Sequence, residues 1–264
     1  MLRNVFTKTL WDGRRSLLGW AIAIAAVGAM YAAFWPTVNT PQMQDAMRNY
    51  PQAVLEAFNY NDLASAAGYV GSSVYGLLIP LLVAVFAIAY GTRALAGDEE
   101  AGTLDLLLAH PVSRVRTALS RFAALCTALA VVGAVLLLAM LAISGPADLG
   151  SITPGEFAAA TLQLVLFGAL LGALAFAVGA ATGRKALAIG VTAGVAVLGY
   201  LANGVFPQVR GLAWTRDVSP WHWYLGGEPL KNGLQVGDSL LLLGVTVVLV
   251  LCGTWLFNRR DVAV

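Results

Sequence analysis

Residues 122–143 and 157–182 contain no charged side chain, and nothing else in the sequence constrains the fold as strongly. About 20 apolar residues of helix cross the roughly 30 Å hydrocarbon core of a bilayer. Six stretches meet that requirement, at roughly 17–35, 74–95, 119–143, 157–182, 186–206 and 240–257. Strands of a membrane barrel alternate polar and apolar residues, and these runs do not. The sequence therefore predicts an all-α membrane protein with six transmembrane helices in a single domain over residues 1–264. Composition agrees: 11% of residues are charged, where soluble domains carry roughly 25%. Lipid must be the solvent for much of such a chain.

Lysine and arginine set the orientation. Twelve of the 16 basic residues fall in one set of flanks: Arg3, Lys8, Arg14 and Arg15; Arg93, Arg114, Arg116 and Arg121; Arg184 and Lys185; Arg259 and Arg260. The opposite flanks hold Arg48, Arg210, Arg216 and Lys231. Both termini and the 93–121 loop are predicted to be cytoplasmic. The first span is too long for a signal-peptide core, and a cytoplasmic flank precedes it, so it is expected to remain as an anchor. Residues 2–15 place Leu2, Val5, Phe6 and Leu10 on one helical side, with Trp11 as an interfacial anchor. They read as an amphipathic interfacial helix on the cytoplasmic leaflet.

Two outside loops remain. Residues 36–72 are punctuated by Pro36, Pro41 and Pro51, and Met43, Met47, Val54, Leu55 and Phe58 suit short surface helices. Residues 207–239 concentrate Trp214, Trp221, Trp223 and Tyr224, types favoured at the headgroup level. Interfacial or re-entrant helices are expected there, before span 6. Gly168/Gly172, Gly179/Gly183 and Gly190/Gly194 recur at a four-residue spacing that permits close helix contact in lipid.

Several chemistries lack their residues. The two histidines, His110 and His222, form no HExxH or Cys/His cluster, and Cys126 and Cys252 lie within apolar spans. No metal site, no catalytic residue and no cofactor of its own is expected for this chain. The one Lys-Thr pair, Lys8-Thr9, has no preceding glycine, so no phosphate-cradling loop exists. A net charge of +2 gives no nucleic-acid footprint. The middles of the spans hold no Asp, Glu, Lys or Arg. Ion-coupled carriers usually place such groups there, which argues that the energy for any transport comes from another protein.

One cytoplasmic segment stands apart. Asp98, Glu99 and Glu100 interrupt a basic loop, and Gly102 and Pro111 bracket Thr103–His110, enough for two helical turns. Acidic residues at the start suit the helix dipole. The bracketed stretch carries Leu104, Leu106, Leu107 and Leu108, too short to span. Those leucines need a partner, either the protein's own helix ends or a second protein.

The run from Gly97 to Arg114, with its acidic pair, Gly-Thr-Leu, leucine run and Pro-Val-Ser-Arg, resembles the first cytoplasmic loop of type-2 ATP-binding cassette (ABC) transporter permeases. The six-span layout, cytoplasmic termini, amphipathic start and aromatic outside segment are also similar to that family, so the resemblance covers essentially the whole chain. It implies a coupling helix between spans 2 and 3 that docks in a groove of a separate cytoplasmic ATPase, which would hold the ATP and Mg. Asp98, Glu99 and Glu100 would lie at the docking surface. Gly102 and Thr103 would start the helix, Leu104, Leu107 and Leu108 would fill the groove, and Pro111 and Arg114 would end it. Two ATPase copies would drive two permease copies. In related exporters spans 2 and 5 line the dimer interface, which here offers Tyr75, Tyr90, Tyr200, Asn203 and Phe206 to a path for lipid-like, drug-like or peptide cargo. A prokaryotic cytoplasmic (inner) membrane is the expected location. Some relatives instead serve copper-enzyme maturation with extracytoplasmic partners. A self-sufficient channel or carrier, and a membrane-embedded enzyme or assembly factor built on Asp98–Glu100 and His110, are the competing readings.

Overall fold

The computed structural model describes residues 4–42, 45, 65–100, 102 and 113–260, the side chain of Asp98 excepted. The described residues form helices and turns without a strand. We label them α1 (Val5–Ala33), α2 (Trp35–Val38), α3 (Ala66–Gly97), α4 (Arg114–Ser144), α5 (Pro154–Thr182), α6 (Lys185–Gly204), α7 (Pro220–Leu225), α8 (Pro229–Asn232) and α9 (Val236–Arg259). Six of them, α1, α3, α4, α5, α6 and α9, are long and apolar enough to cross a membrane. The expected surface helices around Met43, Met47, Val54, Leu55 and Phe58 lie outside the described residues.

Several of the spanning helices run past their apolar runs to a polar cap. Ser65 and Ser113 accept from the amides of Gly68 and Arg116. Thr153 and Glu156 form a reciprocal capping box, satisfying two of the N-terminal amides that a helix leaves open. This is why the helices start earlier than hydropathy alone places them.

The N-terminal expectation changes. Residues 5–15 do not form a separate interfacial helix but are the first three turns of an uninterrupted α1. Nothing breaks the helix there: Gly13 is a lone glycine, and the Tyr90 hydroxyl donates to its carbonyl at 3.3 Å. At 29 residues, α1 is about 44 Å long, more than a hydrocarbon core requires.

The helix α5 is the central post. It packs against α3, α4, α6 and α9, while α1 lies outside on α4. Buried residues make up 72% of the apolar window of α5 and only 17% of that of α6, so α6 offers most of its surface to something other than its own chain. Glycines allow the tightest crossings. A Cβ on Gly172 would meet the Leu125 side chain and lie 3.4 Å from the Ala87 carbonyl oxygen, and one on Gly253 would sit 2.8 Å from the Cα of Ala177.

The helix α3 widens to π geometry twice, at Val74–Leu78 and Arg93–Gly97. At the first site the Ile79 amide donates to Val74 O. The next bond in that register would come from Pro80, which has no N–H. Tyr75 O is thereby left open, and the Tyr224 hydroxyl of α7 donates to it at 2.8 Å. Two short helices, α7 and α8, do precede α9, and their aromatic residues divide between surface and core. Trp214 is exposed, but Trp221 and Tyr224 are buried against Phe167 of α5, with ring centroids 4.9 and 5.2 Å away. Trp221 Nε1 donates to Ala196 O at 2.8 Å and Ser219 Oγ to Gly199 O at 2.6 Å. Both bonds fasten α7 to α6.

Candidate functional site

The ends of four spans meet around the roots of the acidic, leucine-rich segment. The second π stretch of α3 is followed directly by Asp98–Glu100. Glu99 accepts a short charged hydrogen bond from Arg260 Nη2, just beyond the end of α9. Its side chain is only 7% exposed, against 23% for Arg260, so loss of the arginine would strand the Glu99 charge. Glu100 Oε1 accepts from the Lys185 amide at 2.8 Å. That amide opens α6, whose N-cap residue Arg184 makes no side-chain capping bond. Glu100 therefore caps α6 from another helix, with negative charge at the positive end of its dipole.

The far root of the segment reaches the same place. Arg114, the first residue of α4, donates through Nη1 to Arg260 O at 2.6 Å, and its guanidinium lies 5.9 Å from the Phe257 ring. One turn of chain between α5 and α6 completes the cluster. Gly183 takes a left-handed φ of +66°, closing α5 through its amide to Gly179 O at 2.8 Å. A side chain at Gly183 would run into Arg260 Nη1 and lie 2.7 Å from Glu99 Oε1. The left-handed backbone favours glycine there, and the missing side chain leaves room for the ion pair. Below the cluster, the buried Arg121 of α4 donates to Ala94 O of the π stretch at 2.6 Å.

Of the sequence-predicted coupling residues, Glu99, Glu100 and Arg114 are brought together. Gly102 is an exposed turn residue with φ +64°, its amide donating to Glu99 O at 3.0 Å. Thr103, Leu104, Leu107, Leu108, Pro111 and the Asp98 side chain lie outside the described residues. The five predicted path residues do not converge. Tyr75 is buried and shares a 2.9 Å hydrogen bond with Thr161 of α5. Tyr90 packs tilted against Phe86, ring centroids 4.8 Å apart, and faces α1. Tyr200 packs edge-on against Trp221, 5.1 Å away. Asn203 and Phe206 are half-buried near the same end of α6. The exposed face of α3 is instead Leu77, Leu81 and Val85.

Sequence reasoning counted Arg260 only as a flanking charge and overlooked Gly183 as a contact. The 4-residue Gly179/Gly183 spacing marked the place, but no signal linked it to residue 260.

At the opposite end, His222 Nδ1 accepts from Arg216 Nε at 3.2 Å. Partial burial, then the Arg216 charge, push its pKa below the ordinary value of 6.5, against weaker opposing pulls from Asp238 and Asp217.

A family model described as an ABC-2 family transporter protein matches residues 3–262. No curated protein matches the chain. With six spanning helices and a match over nearly its whole length, the chain belongs to the ABC-2 family and is an integral, multi-pass transport component of a membrane.

Proposed function

We propose that this chain, as one membrane domain over residues 1–264, is the permease subunit of an ABC exporter in a prokaryotic cytoplasmic membrane. The observation that carries the reading is the convergence of Glu99, Glu100 and Arg114 on the ends of α6 and α9. A segment rooted this way can pass a push from the aqueous side into several spans at once. The basic ends of the helices face the cytoplasm. Asp98, Gly102, Thr103, Leu104, Leu107, Leu108 and Pro111 form the stretch that meets a P-loop ATPase, with Glu99, Glu100 and Arg114 at its roots. ATP and Mg bind that partner, and this chain binds no cofactor and performs no catalysis.

Two permease copies and two ATPases make the working unit. A Cβ added at Gly190 or Gly194 on α6 would meet nothing within 4 Å. Small residues at this spacing favour close helix approach in lipid, so α6 supplies the seam between copies. The path between copies is lined by Leu77, Leu81 and Val85 of α3 and by Tyr200, Asn203 and Phe206 near the end of α6. Tyr75 and Tyr90 hold the shape of α3 behind it. An apolar, aromatic path suits lipid-like, drug-like or peptide cargo.

The test is gentle affinity purification of the tagged protein from its native membrane. A stoichiometric P-loop protein retained with it is the expected result. A clean oligomer of this chain alone would sink the permease reading in favour of a channel or carrier.

A further inference from the structure

The acidic pair beside a docking segment invites a simple assignment, charge contacts to the ATPase surface. Its surroundings argue otherwise. Glu99 is nearly closed to solvent and already paired with Arg260, and Glu100 is committed to the first amide of α6. A carboxylate meant for a soluble partner has to be reachable by it: Glu99 is not, and Glu100, though exposed, already spends Oε1 on the α6 amide. Arg260 serves both roots of the segment: its guanidinium holds Glu99 at the entrance, and its carbonyl oxygen receives Arg114 at the exit. Gly183 leaves the notch in which the ion pair lies.

We propose that Arg260 is the anchor that ties both roots of the 101–112 segment to the end of α9, and that Glu99 and Glu100 are positioning residues that relay its movement to α9 and α6. This rests on the permease reading. Because each bond joins different helices, a displacement of the segment is passed to α6 through Glu100 and to α9 through Glu99 and Arg114. Breaking the pair removes the side-chain tie between the entrance root and α9 and leaves ATPase binding by the segment intact.

The experiment uses the complex of the full chain with its ATPase in lipid nanodiscs, with Cys126 and Cys252 replaced by serine. Spin labels on Leu251→Cys of α9 and Leu119→Cys of α4, both exposed positions, report the distance change driven by ATP and vanadate. The variants are Glu99→Arg, Arg260→Glu, the two combined, and Arg260→Gln. Each single variant is expected to retain its ATPase within about twofold and to lose the driven population roughly tenfold, the scale of ordinary coupling energies. The combined reversal is expected to restore the shift. Arg260→Gln introduces no charge of the wrong sign, so it decides the matter if a reversed charge prevents insertion. Loss of its shift with ATPase still bound supports the relay, and a wild-type shift overturns it. Loss of the ATPase from Glu99→Arg, unrestored by Arg260→Glu, also overturns it and returns Glu99 to the docking surface. Failure of the permease reading itself is separate, because the unsubstituted chain would then carry no ATPase.

Discussion

Tyr224 shows how one hydroxyl compensates for one missing amide. Pro80 cannot donate to Tyr75 O, and the buried Tyr224 hydroxyl does so at 2.8 Å. Tyr224→Phe keeps the ring stacked on Phe167 but leaves that carbonyl open, at a cost of about 1–3 kcal/mol. A lower Tm in detergent, with insertion unchanged, is the expected outcome. His222 gives a pH dependence. Its pKa is lowered in the fold, so the unfolded chain binds the proton more readily. Stability from the neutral imidazole is complete above about pH 6.5, the unfolded value, and is lost as pH falls through the lower folded value. Tm measured from pH 7.5 to 5 should fall, and His222→Gln should flatten that part of the profile. Neither role is legible in the sequence. A tyrosine among aromatics reads as an interfacial anchor until the carbonyl opposite it is seen.

Among elements, α3 carries the most built-in irregularity, with two π stretches in one span. Such bulges commonly sit at functional sites. Pro80→Ala restores the missing N–H and lets the helix tighten. Tyr224→Phe should then cost less on that background, with a coupling of about 1 kcal/mol in a double-mutant cycle of thermal unfolding. If the two substitutions add, Pro80 is not what opens the Tyr75 carbonyl. The crossing of α3 and α5 depends on Gly91, where any Cβ would strike the Gly172 carbonyl. Gly91→Leu has to push the helices apart, and the protein is expected to lose its monodisperse peak on size exclusion in mild detergent. Proline at 80 was visible from the start. Its consequence was not, because a π stretch needs the i−5 partner and a donor from another helix, and hydropathy reports neither.

At the scale of the whole molecule, α5 and α6 differ most in how far their own chain covers them. One helix is enclosed by its own chain and the other is open along Gly190 and Gly194. Gly190→Leu with Gly194→Leu should leave the monomer folded, since no neighbour lies within 4 Å of either added Cβ. It is expected to shift the mass in nanodiscs from two copies to one. An unchanged dimer would move the seam to another span. The sequence by itself determined the six spans, because uncharged runs of that length have only one stable solution in lipid. It also determined where many helices begin, since Ser113 and Thr153 carry their caps locally. What only the tertiary structure decided is the use of each repeated feature. Three glycine pairs share one spacing, yet Gly172 packs against Leu125 and Ala87, Gly183 lies beneath an ion pair, and Gly190 and Gly194 remain open. Glu99 and Arg260 are 161 positions apart, and helix periodicity relates only neighbours three or four residues away. Their meeting depends on how α5 brings the ends of α3 and α9 together, which is a property of packing.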